Sequence, residues 1–247
     1  MGLKHFSRFF TGFHFRRILL NTLGISLYQL IAGFPVPIIL ALALNEIRNR
    51  AFQKSVQMIT YAPHFLSTVV MCGMVITFLN PEYGIINTFI EMLGGESIYF
   101  ITKPEYFKTI YVSSGIWQNM GWSSIIYIAA LANVSQELHE AAIMDGASRL
   151  KRIWHINVPC ILPTVIILLI LNTGKIMEVG FEKVFLLQNS LNMESSDVIA
   201  TYVYRSGIVG AQFSFATAVG LFNSVVNFAI LVSVNRISKR FLETSLW

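Results

Sequence analysis

The chain has 247 residues, of which 54% are hydrophobic and only 13% charged, with a mean hydropathy of +0.60. A soluble domain of this length has no core large enough to hide that much apolar surface, so a bilayer is the expected solvent. The formal charge of +5 does not signal nucleic acid, because Lys and Arg fall in short clusters between apolar runs rather than along one stripe. Cys72 and Cys160 lie in or beside apolar runs, which excludes a zinc cluster and a disulfide framework and predicts small buried hydrophobes.

From the N-terminus, residues 1–17 carry Lys4, Arg8, Arg16 and Arg17 among Phe6, Phe9, Phe10, Phe13 and Phe15. Without a compact apolar stretch and a small-residue cleavage site, this is no cleavable signal peptide. The pattern predicts an interfacial segment with its rings among lipid headgroups. Five stretches are then apolar enough to cross hydrocarbon, at about 18–44, 58–79, 110–131, 159–176 and 213–234. They must be helices, since lipid satisfies no backbone group. Pro35 and Pro37 remove backbone donors in the first and predict a kink or break. Ala216, Gly220 and Ser224 recur on one face of the last, a small-residue pattern that lets helices approach closely. No repeat or linker divides the chain, so 18–234 reads as one transmembrane domain followed by a cytoplasmic tail at 235–247.

The loops alternate in charge. Arg48, Arg50 and Lys54, then Arg149, Lys151 and Arg152, then Arg236, Lys239 and Arg240 mark the cytoplasmic side, while 82–105 and 178–197 are richer in acid. Five spans with a cytoplasmic tail place the basic N-terminal segment outside, the wrong side for such a cluster. A missing preceding span removes the conflict, and predicts one more apolar stretch encoded upstream of Met1.

Polar residues interrupt two spans. Gln118, Asn119, Trp122 and Ser123 lie in the third, and Asn223 and Asn227 share a face of the fifth. Amides beside a flat aromatic face suit a polar solute pathway. Asn in membrane helices also serves as interhelical glue, and Trp near a span end as an interface anchor. Lys175 and Glu178, three apart, are placed to pair at the outer end of the fourth span. Residues 181–207 read as an outward loop, meeting a partner or simply solvated.

The segment from Asn133 to Thr164 differs from ordinary loops. Its composition predicts two short cytoplasmic helices. Ser135 is the N-cap of the first, Glu137 lies near its positive end, and Gly146 takes the left-handed conformation that ends it. Ala141, Ala142 and Ala147 present little side chain, so another surface can come close. Leu150, Ile153 and Trp154 form an apolar stripe beside Arg149, Lys151 and Arg152, and Pro159 suits the first turn of the next span. A protruding helix of small residues bounded by Glu140 and Asp145 is the lever that a soluble motor needs.

At these residues the sequence resembles a known family. Glu140, Ala141, Ala142, Asp145, Gly146 and Ala147, then Ile156, Pro159 and Pro163, match the EAA motif of ABC-importer permeases. Val158, where that family often has Leu, is a conservative departure. GLKHFSRFF, YAPHF from Tyr61, FEKVFLLQN from Phe181 and ESSDVIATYVYRSG to Gly207 resemble the lipoprotein-associated polysaccharide permease branch, so the likeness covers nearly the whole chain. The resemblance implies an all-α integral membrane fold, a type I importer core whose first family span is missing here. It implies a plasma-membrane permease subunit carrying a sugar, oligosaccharide or polysaccharide fragment. A second, different permease subunit, an ATPase dimer that binds the ATP and grips the coupling segment 135–158, and an extracytoplasmic solute-binding lipoprotein are the implied partners. No cofactor of the chain itself is implied.

Other classes fit less well. His139-Glu140 hints at a zinc-protease signature, but the position four after His139 is Ile143, so the second ligand is absent, and no Walker A sequence occurs. A motor-free transporter or channel would place ionisable groups within its spans, where they are scarce here. An ABC permease for a non-sugar solute is the nearest competitor.

Overall fold

The computed structural model describes residues 3–242, 245 and 246, and among them every regular element is helical. Met1, Gly2, Glu243, Thr244 and Trp247, at the ends of the segments read as 1–17 and 235–247, lie outside the described residues. Helix α1 (Lys4–Phe10) precedes α2 (Phe15–Tyr28), which runs through a π-helical turn at Gln29–Gly33 into α3 (Pro35–Asn45). The expected break at the prolines is reduced to that turn and a bend at Phe34. Pro35 stands in the first turn of α3, where its missing donor costs nothing, and the wider turn before it absorbs the mismatch. Phe15–Asn45 therefore remains one apolar run of 31 residues.

The stretch read as a single span at 58–79 is instead two helices, α4 (Arg50–Tyr61) and α5 (Thr68–Phe78), separated by a tight turn at Ala62–Phe65. Pro63 sits in that turn, and the Ser67 hydroxyl accepts from Val70 N to start α5 afresh. Next come α6 (Ile85–Met92), α7 (Pro104–Ala132), α8 (Gln136–Met144), α9 (Arg149–Arg152) and α10 (Val158–Thr173), the last two joined by a π-helical turn at Ile153–Asn157. The short helices α11 (Phe181–Leu187), α12 (Met193–Ser196) and α13 (Ile199–Val203) lead to α14 (Phe213–Leu242).

Among the described residues, Phe15–Asn45, Arg149–Thr173 and Phe213–Arg240 are long and apolar enough to cross a membrane, and the bent pair Arg50–Phe65 with Thr68–Phe78 makes a fourth if it is one span. Most residues of those three runs are not buried within the chain. On α14 the exposed Leu221, Val225 and Phe228 follow helical spacing, an apolar stripe that a water-soluble surface would not carry. Helix α7 has 29 residues, about 43 Å at 1.5 Å per residue, ample for a bilayer, though its amides and charges lower its hydropathy.

The single domain expected from sequence resolves into two compact units interleaved along the chain. The first comprises residues 1–30, 66–115 and 175–229, the second 31–65, 116–174 and 230–247, because the long helices α7 and α14 each contribute to both. In the first unit Phe9, Ile18, Met177, Ile199, Phe215 and Val219 form the core. Phe9 is thus an anchor packed edge-on against Phe15 and Phe215 rather than a headgroup ring, while Phe13 stays 92% exposed. The segment 181–207 is no solvated loop either. Helix α11 packs on α5, and α12 and α13 on α2, burying Val184, Leu187, Ser196, Asp197 and Thr201. On the small-residue face of α14, Ala216 comes close to a neighbour, a Cβ on Gly207 lying 2.4 Å from its methyl, whereas Gly220 faces open space. In the second unit Ala41, Tyr127, Leu131 and Ile161 form the core. Cys72 is buried as expected, but Cys160 is exposed.

Candidate coupling segment and polar interior

The segment 135–158 is built from local signals. Ser135 takes an extended backbone and its hydroxyl accepts from Glu137 N at 3.2 Å, starting α8. Gly146 has φ +73°, and Ala147 N donates to Ala142 O at 2.8 Å while Gly146 N donates to Ile143 O at 3.0 Å. These are the paired bonds of a left-handed helix end, which glycine adopts without strain. Ser148 then caps α9. The second short helix is not separate, however. It continues through the π turn into α10, so Arg149–Thr173 is one helical run with Pro159 in the first turn of α10 and Pro163 inside it.

No residue of α8 is buried. Glu140, Ala141, Asp145 and Gly146 are exposed, Ala142 and Ala147 half-buried. A Cβ at Gly146 would meet nothing within 4 Å. Around them Leu138, Ile143, Met144, Leu150 and Trp154 are also exposed, Met144 at 88%. Ile156 is half-buried, and beside it Asn157 is fully buried with neither amide atom hydrogen-bonded.

Of the polar residues read as a solute pathway, the structure groups some and separates others. His64, from the turn between α4 and α5, stacks on Trp122 with ring centroids 4.6 Å apart and planes 7° from parallel. Its Nδ1 lies 3.0 Å from Asn119 Oδ1, and Phe65 meets Trp122 edge-on. Trp122 stays 46% exposed and Gln118 and Ser123 are half-buried nearby on α7. His64 was not named as a pathway residue from sequence, although it lies in the YAPHF stretch that carries part of the family resemblance. Asn223 and Asn227 are elsewhere engaged. Asn223 Nδ2 donates to Met177 O, and Asn227 accepts from Met177 N at 3.0 Å and donates to Glu178 Oε1 at 3.3 Å. They fasten α14 to the turn at Met177 and Glu178, the glue role. Because Glu178 bonds Asn227, the expected Lys175–Glu178 ion pair does not form.

Two buried polar clusters in the first unit were not foreseen. Asp197 has no exposed surface and meets Arg17 at 3.4 Å and Arg205 at 2.8 Å, while Thr201 donates to its Oδ1 and Asn21 to its backbone oxygen. One member of the N-terminal basic cluster is therefore a structural counter-ion across 180 residues of sequence. On α11, Lys183 is 9% exposed, and its Nζ donates to Tyr111 O at 2.7 Å and lies 4.5 Å over the Tyr111 ring. Burial pulls the Lys183 ammonium down to about 8, opposed by the charge of the Cys72 group.

Comparison with known proteins fits this architecture. Residues 33–242 match the family described as binding-protein-dependent transport system inner membrane component. The whole chain is 44% identical to the polygalacturonan/rhamnogalacturonan transport system permease protein YteP of Bacillus subtilis, covering 77% of it. It is 42% identical to protein LplB of the same organism, covering 78%. A solved bacterial alginate ABC transporter, in complex with an alginate pentasaccharide-bound periplasmic protein, superposes with a TM-score of 0.96 at 43% identity, over 100% of this chain and 85% of that one. The chain belongs to the binding-protein-dependent transport system inner membrane components, the permease subunits of ABC importers, and is a multi-pass protein of the bacterial inner membrane.

Proposed function

We propose that this permease subunit translocates an oligosaccharide or polysaccharide fragment handed over by an extracytoplasmic binding protein, and that α8 is the lever through which an ATPase dimer drives it. A second, different permease subunit completes the pathway, and α7 is a fifth span beside the four runs of sufficient hydropathy. The observation that carries the coupling assignment is α8 itself: a capped helix with no buried residue, followed by Gly146 at positive φ and carrying exposed Leu138, Ile143 and Met144. Apolar groups left bare on a water-facing loop mark a surface that another protein covers. Glu140, Ala141, Ala142, Asp145, Gly146 and Ala147 form the contact, with Ile156, Pro159 and Pro163 carrying its movement into α10. Differential binding of the motor to two membrane conformations then couples ATP to transport.

The sugar assignment rests on the polysaccharides for which the relatives are named and on the Trp122 shelf. An aromatic face braced by His64 beside Asn119, Gln118 and Ser123 offers stacking and hydrogen bonds to hydroxyls. A broken helix at membrane depth is tolerated where it lines a polar cavity, which suits the turn holding His64. The test is a single cysteine at Ala141 in a Cys160→Ser, Cys72→Ser background, in the assembled transporter. It should crosslink to the ATPase subunit and be modified only by reagents reaching the cytoplasmic side; labelling from outside, or no crosslink, overturns the lever assignment.

A further inference from the structure

We infer that Asn157 is a positioning residue of the transport cycle: the joint between the coupling segment and α10 has two conformations, and the Asn157 amide, unpaired in this one, is paired in the other. The inference rests on the lever reading of α8 and extends it to how the movement enters the membrane. Asn157 closes the π-helical turn at Ile153–Asn157 and has no exposed surface. Neither its Oδ1 nor its Nδ2 meets a hydrogen-bonding group of the chain. A buried amide left in this way is costly, because its contacts with water have been given up and nothing replaces them.

The other buried asparagines behave differently. Asn21 donates to the carbonyls of Glu194 and Asp197, Asn87 to those of Leu79, Asn80 and Ile98, and Asn192 to those of Ile101 and Leu187. Asn227 bonds Met177 N and Glu178 Oε1, and Asn235 accepts from Leu246 N. Among the described residues Asn157 is the one buried asparagine with no partner. It stands one helical turn before Ile161, which packs with Ala41, Tyr127 and Leu131. A leucine of similar size would carry no such cost there.

The backbone is least restrained at the same place. Pro159 has no N–H, so the helical ladder of Arg149–Thr173 lacks a bond there, and the wider turn just before it accommodates the proline ring. Because Asn157 is enclosed by its own chain, no neighbouring subunit reaches it without a change of conformation. Movement of α9 against α10 at this joint is such a change. The unpaired amide raises the energy of the conformation described here, and so keeps the second one within reach of the motor.

The experiment uses the complete transporter, both permeases, ATPase and binding protein, in nanodiscs. Thermal unfolding is measured without nucleotide and after trapping with ATP and vanadate. Asn157→Leu should raise the midpoint by about 2–4 °C in one state and lower it in the other, since leucine removes a cost from one conformation and strands a partner in the other. ATP hydrolysis, which needs both conformations, should fall roughly ten-fold. Asn157→Ser places a hydroxyl that bonds a carbonyl of its own helix, as that of Thr22 bonds Ile18 O, and should give the same opposite signs at smaller size. It keeps the test decisive where the leucine variant does not assemble. Shifts of one sign in both states overturn the inference: a rise in both makes the amide a tolerated defect, and a fall in both makes it the anchor of a buried water. No shift in either state, or hydrolysis at the wild-type rate, overturns it as well. With the Ala141→Cys crosslink to the ATPase intact, each of these results leaves the lever reading standing; without that crosslink both readings fall.

Discussion

The segments 135–158 and 177–212 both read from sequence as connections between spans, yet they are built on opposite principles. The first is held by its own caps, Ser135, Gly146 and Ser148, and leaves its side chains from Ser135 to Leu150 unburied, Asn157 near its end being the exception. The second is tied by long-range polar bonds, Asp197 to Arg17 and Arg205, Asn192 Nδ2 to Ile101 O at 2.9 Å, Lys183 to Tyr111, and buries them. A connection meant for another protein keeps its surface free and gets its shape locally. A connection that is part of the chain's own interior must find partners for every polar group it buries.

Mutations can break this contrast at either end. The largest effect is expected at Asp197→Ala, which strands two arginines while the Thr201 hydroxyl keeps its bonds to Val198; because both arginines keep access to solvent, the cost is about 2–3 kcal/mol rather than the full penalty of a buried charge. It should appear as a lower unfolding temperature of the purified protein in detergent, with ATPase binding by the surviving protein unchanged. At the other end, Gly146→Trp should insert into the membrane yet fail to couple hydrolysis to uptake, since a Cβ there meets nothing within 4 Å and the ring would meet the motor. Gly146→Ala carries the same backbone strain, about 1 kcal/mol, without the bulk, so it should keep most of its uptake. Equal uptake losses in both would trace the effect to backbone strain and not to docking. The smallest effect is expected at Ser135→Ala, about 1 kcal/mol from loss of one cap, seen as faster amide exchange confined to the first turn of α8.

The difference between the two segments also decides what could be read in advance. Ser135, Gly146 and Pro159 were legible because caps, left-handed glycines and first-turn prolines depend on neighbours in sequence. The apolar runs were legible because hydrocarbon imposes helices whatever the tertiary context. The break at Ala62–Phe65 was missed because an apolar run has the same composition whether the helix continues or turns. The stacking of His64 on Trp122, the pairing of Arg17 with Asp197 and the burial of Lys183 under Tyr111 join residues dozens to well over a hundred positions apart.

By itself the sequence determined that the chain is helical and membrane-spanning, and where the capped helix α8 begins and ends, since solvent and local backbone chemistry set those features. Only the tertiary structure decided which polar residues serve as glue, which brace an aromatic shelf and which stand buried without a counter-ion. The physical reason is that the cost of a polar group depends on its partners, and partners are chosen by packing across the chain, not by neighbours along it.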